Sequence, residues 1–190
     1  MVTIKIKDNA EVIVENVKHD SFLLNGLYEN LNIQFQSNNS YIGNETNLLD
    51  RSGKSVYIRD VVGKMKFVIR FRGTQCRSCV NVFNQYAERL KTMISDLGVE
   101  SVVILLDSKN ISDLQVIADK MNCEVYSIPK GNLPIELDNE NHVIPFYFFT
   151  LSNLLMVQDC FIPADYLDVF WGIYIESIKR KFYILDGNIS

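Results

Sequence analysis

The stretch that decides the fold runs from Lys66 to Leu97 and reads KFVIRFRGTQCRSCVNVFNQYAERLKTMISDL. Its first six residues are largely apolar and include β-branched side chains, a composition typical of a buried strand. After a short break at 73–75, apolar residues recur at the spacing of one helix face: Cys79, Phe83, Tyr86, Leu90, Ile94 and Leu97. The sequence therefore predicts a strand, a turn and a helix, with Cys76 and Cys79 at the start of the helix.

This placement of the two cysteines favours thiol chemistry. The first amides of a helix have no partner within it, and the aligned peptide dipoles leave partial positive charge there. A thiolate is stabilised at such a site, and Arg77 adds a further positive charge. Two intervening residues bring Cys79 within disulfide reach of Cys76. We therefore expect Cys76 to attack a disulfide and Cys79 to resolve the mixed disulfide that forms.

At these residues the chain resembles the thioredoxin superfamily, and most closely its TlpA-type thiol–disulfide oxidoreductases. The resemblance spans roughly Leu48 to Phe182 and has three anchors. The first is LLDRSGKSVYIRDVVGK at 48–64, which is similar to the hairpin and short helix that precede the family's central strand. The second is the motif from Cys76 to Cys79. The third is IPFYFF at 144–149, where the family has a cis proline opening a strand that faces the active site.

The resemblance implies an α/β, three-layer thioredoxin-like fold with a mixed central sheet and no cofactor or metal. It implies that a cis Pro145 packs against the active-site sulfurs and that the Ile144 backbone pairs with an extended substrate. We assign Gln75 and Arg77, beside Cys76, to the same substrate-binding surface. The expected partners are protein thiols or disulfides and a redox partner protein. An extracytoplasmic or periplasmic location is preferred on the same ground.

Several departures from the family leave a second function open. Relatives carry an acidic residue either three positions after the second cysteine or six positions before the first. Here these positions hold Val82 and Arg70. The chain is therefore expected to be either a slow or partner-restricted oxidoreductase, or a redox-inactive thioredoxin-fold binding or scaffold protein. Peroxidase activity is not expected, because Gly73 stands where peroxiredoxins have threonine.

The remaining cysteines and histidines do not extend the motif into a metal site. A structural zinc site at Cys76 and Cys79 needs two further ligands at matched spacing, and none of the other candidates is paired in that way. Cys123 and Cys160 fall within apolar strand patterns and are expected to be buried. In the strand order that the resemblance implies, their strands lie on opposite edges of the sheet, beyond disulfide reach. His142 is expected to be a solvated loop residue.

The charge and the hydropathy of the whole chain restrict its partners. The net charge is -4 over 190 residues, and lysine and arginine form no basic stripe, so nucleic-acid binding is not expected. No apolar run is long enough to cross a bilayer, and no basic and apolar leader is apparent. A membrane is therefore expected to take part only through an N-terminal anchor missing from this sequence.

The rest of the pattern divides the chain into a β extension at 1–45 and a thioredoxin-like domain at 46–190. Alternating residues predict strands at 2–6 and 12–17 and around Ile33 and Phe35. Downstream, the pattern predicts a buried strand at 101–106, a helix from about residue 111, a short strand at 123–128 and a hairpin of 146–151 with 154–162. A last helix is predicted to open at Pro163, with Trp171 and Ile175 on its buried face.

Overall fold

A computed structural model describes residues 21–72, 77–163 and 168–185, and of residues 77–85, 168–169 and 185 it describes only the backbone. The first described element is helix α1, at residues 21–37. The elements that follow are β1 (Asn47–Leu49), β2 (Ser55–Tyr57), α2 (Ile58–Val61), β3 (Lys66–Phe71), α3 (Arg77–Leu97), β4 (Val102–Leu106), α4 (Ile111–Met121), β5 (Glu124–Ser127), β6 (Phe146–Leu151), β7 (Val157–Phe161) and α5 (Asp168–Leu185).

The strands form a mixed sheet of seven strands in the order β2-β1-β5-β4-β3-β6-β7. The central strand β3 pairs in parallel with β4 and antiparallel with β6, and Phe71 lies opposite Phe146. Strand β5 extends the parallel part, and β7 pairs antiparallel with β6. The predicted α/β fold with a mixed central sheet is therefore confirmed, as are the hairpin and short helix predicted before the central strand.

The alternation of side chains along β3 divides the core into two layers, because successive residues of a strand point to opposite faces. Phe67 and Ile69 belong to one apolar cluster, which they share with α3, α4 and α5. Val68 belongs to a second cluster, which is covered by α1, α2 and the segment between β5 and β6. This segment, residues 128–145, is called the β5–β6 loop below. The three layers are the helices α3, α4 and α5 on one face, the sheet itself, and α1, α2 and this loop on the other face.

The strand predicted around Ile33 and Phe35 is wrong, because residues 21–37 are helical. Asn and Gln alternate with apolar residues here as they would in a strand, but packing against the domain stabilises the helix. Ile33 packs against the second apolar cluster. At the end of α1, the Ser37 hydroxyl donates to the Ile33 carbonyl and accepts the amide of Leu137, 2.8 Å away.

The other expectations for the N-terminal part are not tested. The strands predicted at 2–6 and 12–17 lie outside the described residues. The domain boundary after residue 45 stays a prediction. The described part of the extension, however, contacts the second apolar cluster directly through Ile33 and Ile42.

A pair of isoleucines on α5 provides a test of the first apolar cluster. Ile175 is 7% exposed, whereas Ile173 is 62% exposed on the same helix. Replacing Ile175 with alanine removes buried apolar surface and leaves a cavity, so Ile175→Ala should lower the free energy of unfolding by about 2–5 kcal/mol. The exposed Ile173→Ala should change it by about 0.5 kcal/mol or less. Urea denaturation followed by circular dichroism measures both, and equal losses would contradict the assigned face of α5.

Candidate functional site

The cysteine motif follows the central strand in sequence, and only part of it is described. Strand β3 ends at Phe71 and helix α3 begins at Arg77, so the predicted strand and helix on either side of the motif are confirmed. Cys76 and Gln75 lie outside the described residues. The backbone of Cys79 is in the first turn of α3, a turn that contains no acidic residue.

Pro145 lies beside the end of β3, as the resemblance implied. Its carbonyl oxygen accepts the amide of Arg72, 2.8 Å away, which continues the antiparallel pairing of β3 with β6. The cis geometry expected of Pro145 is wrong, because the Ile144–Pro145 bond is trans like the other described peptide bonds. Trans is the intrinsically favoured form of a proline bond, by about 0.5–1 kcal/mol. Ile144 is buried in the second apolar cluster.

Arg70 stands where some relatives have an acidic residue, and it is completely buried. Its Nε lies 3.0 Å from Oδ1 of Asp138, and its Nη2 lies 3.5 Å from Oδ2 of the same carboxylate. Its Nη1 donates to the carbonyl of Ile128 at 2.9 Å. A buried guanidinium is tolerated only when a carboxylate and hydrogen bonds compensate for the lost hydration. The contacts of Arg70 satisfy this condition.

Asp138 is the buried centre of this polar cluster. Besides Arg70, it accepts the amides of Gly131 at 2.8 Å and Leu133 at 3.3 Å, and the Tyr147 hydroxyl at 3.0 Å. Burial raises the pKa of Tyr147 well above its ordinary value, and the neighbouring carboxylate raises it further, so this hydroxyl remains a hydrogen-bond donor. The single carboxylate thus holds together β3, β6 and the β5–β6 loop.

Arg72 makes a second connection from β3 to the same loop. Its Nη1 donates to the Leu137 carbonyl at 2.7 Å and its Nη2 to the Asn139 carbonyl at 2.6 Å. Its Nε lies 3.7 Å from Oδ1 of Asp138. Burial lowers the pKa of the Arg72 guanidinium, and the charge of Asp138 opposes this shift. Two buried guanidiniums at the end of β3 therefore share one carboxylate.

Asp138 is a residue that the sequence analysis missed, although one signal pointed to it. Arg70 interrupts an otherwise apolar stretch of β3, and a buried arginine requires a buried acid. The partner is 68 positions away in sequence. It lies in a loop with no periodic pattern, so its identity could not be inferred without the fold.

The two cysteines outside the motif are free and lie far apart in the sheet. Cys160 is in β7, at one edge, whereas Cys123 immediately precedes β5, and strands β4, β3 and β6 lie between. Burial raises the pKa of each thiol to about 12. The expectation that they cannot form a disulfide with each other is confirmed. Among the described residues, no cluster of three histidine, cysteine or acidic side chains could hold a metal ion.

His142 lies in the β5–β6 loop close to Pro145 in sequence. Its Nε2 is 2.6 Å from Oε1 of Glu136, and its side chain is 26% exposed. The hydrogen bond from His142 lowers the pKa of Glu136. The histidine is therefore a partly solvated loop residue paired with a carboxylate of its own loop.

The Arg70–Asp138 pair can be tested by a double-mutant cycle. Arg70→Met and Asp138→Asn each remove one partner of a buried ion pair, so each should lower the free energy of unfolding by about 3–5 kcal/mol. The double variant should lose about 1–3 kcal/mol less than the sum of the single losses, because the two residues interact directly. Asp119→Asn, at an exposed position of α4, serves as the control for the loss of a carboxylate. Strictly additive losses in urea denaturation would contradict the pair.

Comparison with known proteins identifies the fold. No family model matches the sequence, and no curated protein sequence is similar to it. An Aquifex aeolicus VF5 protein assigned to electron transfer is 16% identical, with a TM-score of 0.55 over 73% of this chain and 96% of that chain. The peroxidoxin BcpB of Mycobacterium tuberculosis is 9% identical, with a TM-score of 0.51 over 76% and 97% of the two chains. A Bacteroides thetaiotaomicron protein assigned as a disulfide isomerase is 9% identical, with a TM-score of 0.50 over 74% and 87%.

None of the described helices has both the length and the apolar composition that crossing a bilayer requires.

At the identities found, the similarity to solved structures concerns the fold. Together with the mixed sheet and the strand–helix unit around the cysteine motif, it shows that the chain has a thioredoxin-like fold.

Proposed function

We propose that the chain is a thiol–disulfide oxidoreductase that exchanges protein disulfides through Cys76 and Cys79. The observation that carries the proposal is the start of α3 at Arg77, directly after Cys76 in sequence and at the end of the central strand. Unpaired amides and the helix dipole at such a position favour a thiolate. One of the solved structures with this fold is assigned as a disulfide isomerase, which supports the same chemistry.

In the proposed reaction, the Cys76 thiolate attacks one sulfur of a substrate disulfide and forms a mixed disulfide. The other substrate sulfur leaves as a thiolate and takes up a proton. Cys79, after losing its proton, attacks the Cys76 sulfur, so that the second substrate thiol is released and a Cys76–Cys79 disulfide remains. The substrate is reduced by two electrons and the cysteine pair is oxidised by two. The reverse sequence oxidises a dithiol substrate.

The proposed substrate surface combines the residues around the motif with the start of β6. Arg72 and Pro145 are hydrogen-bonded neighbours, so the last described residue before the motif lies beside Pro145. We assign Ile144, Pro145, Gln75 and Arg77 to contacts with an extended segment of a partner protein. An extracytoplasmic compartment and a separate redox partner protein belong to the same proposal, and their support is the resemblance to TlpA-type proteins.

A redox-inactive binding or scaffold protein is the second candidate, and the buried cluster favours it. The residue six positions before Cys76 is the cation Arg70. Its buried partner, the Asp138 carboxylate, already interacts with four further polar groups of the protein. No acidic residue lies in the first turn of α3. The two sequence positions at which the family carries an acid therefore hold no carboxylate, and a scaffold would not need one.

A chromogenic aryl disulfide, dithiobis(nitrobenzoate), distinguishes the two candidates. Reduced wild-type protein should release two thionitrobenzoate ions per chain rapidly, because attack by Cys76 is followed by closure of the Cys76–Cys79 disulfide. The Cys79→Ser variant should release only one and retain a mixed disulfide at Cys76, detected by intact-protein mass. Cys76→Ser should react much more slowly, since its nucleophile is absent. Absorbance of the released thiolate measures all three reactions.

Equal and slow release by all three proteins would contradict the oxidoreductase and favour the scaffold. A redox titration of the wild-type pair, read by alkylation and mass, then fixes the direction of exchange. A potential close to that of cytosolic reducing systems indicates a reductase, and a much higher potential indicates an oxidant or isomerase.

Cys123 and Cys160, the two cysteines outside the motif, should not react in these assays, and this can be checked separately. With a pKa of about 12, Cys123 and Cys160 are almost entirely protonated at pH 8 in the folded protein. Iodoacetamide should therefore label them on the order of a thousandfold more slowly than in urea, where a free cysteine has a pKa near 8.5. Peptide mass mapping measures the rates, and their folded-state labelling should rise as the pH is raised. Comparable rates in the folded and unfolded protein would contradict their burial.

A further inference from the structure

Helix α1 carries a row of large apolar side chains that point away from the domain. Leu24, Tyr28, Leu31 and Phe35 are 65%, 73%, 44% and 75% exposed. Their spacing of four, three and four residues is that of one seam of a paired helix. These four residues are called the α1 seam below.

The seam is separate from the face by which α1 packs on the domain. The packed face includes Ile33, against the second apolar cluster, and Ser37, bonded to Leu137. At about 100° per residue, Ile33 lies on the opposite side of the helix from the centre of the seam. Helix α1 therefore has two apolar faces, and the described part of the domain covers only one of them.

We propose that the α1 seam binds the α1 seam of a second copy of this chain, with the two helices antiparallel across a twofold axis. The seam is symmetric about the midpoint between residues 29 and 30. In the antiparallel arrangement Tyr28 lies against Leu31 of the second copy, and Leu24 lies against Phe35. Every layer then joins one aromatic ring to one leucine, and the two helix dipoles are opposed, which is favourable.

The charge pattern favours a second copy of this chain as the occupant. Residues 21–37 contain one charged side chain, Glu29, and it lies about 130° around the helix from the seam. The positions flanking the seam are mainly Asn and Gln, so two copies can approach without like-charge repulsion. A membrane surface is disfavoured, because an interfacial helix normally carries lysine or arginine on its polar face, and α1 has neither.

The area that the seam offers is consistent with a reversible dimer. At the exposures given above, its four side chains present on the order of 500 Å² per copy. Two copies would bury about 1,000 Å², which is the lower limit of a specific interface. The surface is independent of the cysteine motif, so the dimer and the proposed exchange reaction can fail separately.

Sedimentation velocity of the full 190-residue chain over a range of concentrations tests the proposal. Wild-type protein should change from monomer to dimer as its concentration rises. Tyr28→Glu and Leu31→Lys each place a charge at the centre of the seam, so each should raise the dissociation constant about tenfold or more. When the two variants are mixed, a heterodimer should form, because the new carboxylate of one copy lies against the new ammonium of the other. Glu29→Lys, away from the seam, is the matched control and should dimerise like wild type.

Four results would overturn the proposal. The first is a wild-type chain that stays monomeric at all concentrations. The second is a dimer that both seam variants leave unchanged, which would place the interface elsewhere. The third is a monomer that binds phosphatidylcholine vesicles through the seam. In a flotation assay, the wild type would then float with the vesicles and the Tyr28→Glu variant would not. If the monomer is instead destabilised by Tyr28→Glu in urea denaturation, the chain covers the seam itself and the proposal is also wrong.

Discussion

The buried ion pair between Arg70 and Asp138 is the interaction on which the arrangement around the candidate site depends. A strand between two apolar layers has to present every second side chain to each layer, so the arginine at this position of β3 cannot reach solvent. Its charge is compensated only because the β5–β6 loop brings Asp138 and a carbonyl group to it. The conformation of this loop, and with it the position of Pro145 at the start of β6, is therefore coupled to the sequence of the central strand.

Much of the domain could be predicted from local pattern. Strand β3, helix α3, strand β4 and the hairpin of β6 with β7 are long or strongly apolar elements, and their hydrophobic periods are unambiguous. The hairpin and short helix before β3 were found by resemblance. These elements are sufficient to specify a thioredoxin-like sheet, because a strand–helix–strand unit has one preferred handedness and the hairpin must extend the sheet on the other side.

The features that could not be predicted depend on contacts between distant residues. Helix α1 was misread because its two-residue alternation around Ile33 and Phe35 also fits a helix with two apolar faces. Only the packing of Ile33 and the contact of Ser37 with Leu137 decide between them. Asp138 was missed for the same reason. The expected cis bond at Pro145 came from resemblance alone, whereas the bond is trans and the proline carbonyl accepts the amide of Arg72.

The occupancy of Asp138 limits the chemistry that the buried cluster can perform. Its Oδ1 accepts from Arg70 and Tyr147, and its Oδ2 accepts the amides of Gly131 and Leu133. A carboxylate with both oxygens occupied by protein donors, and with guanidiniums beside it, is a poor acceptor for a further proton, because protonation would sacrifice charge-assisted hydrogen bonds. Asp138 therefore cannot replace the acid that relatives place near the resolving cysteine. If Cys79 acts as proposed, water and the thiolate first released from the substrate are the acceptors that the reaction itself supplies for its proton. The rate of the second step should then follow the basicity of that leaving thiolate, which would make the exchange selective for its partner's chemistry.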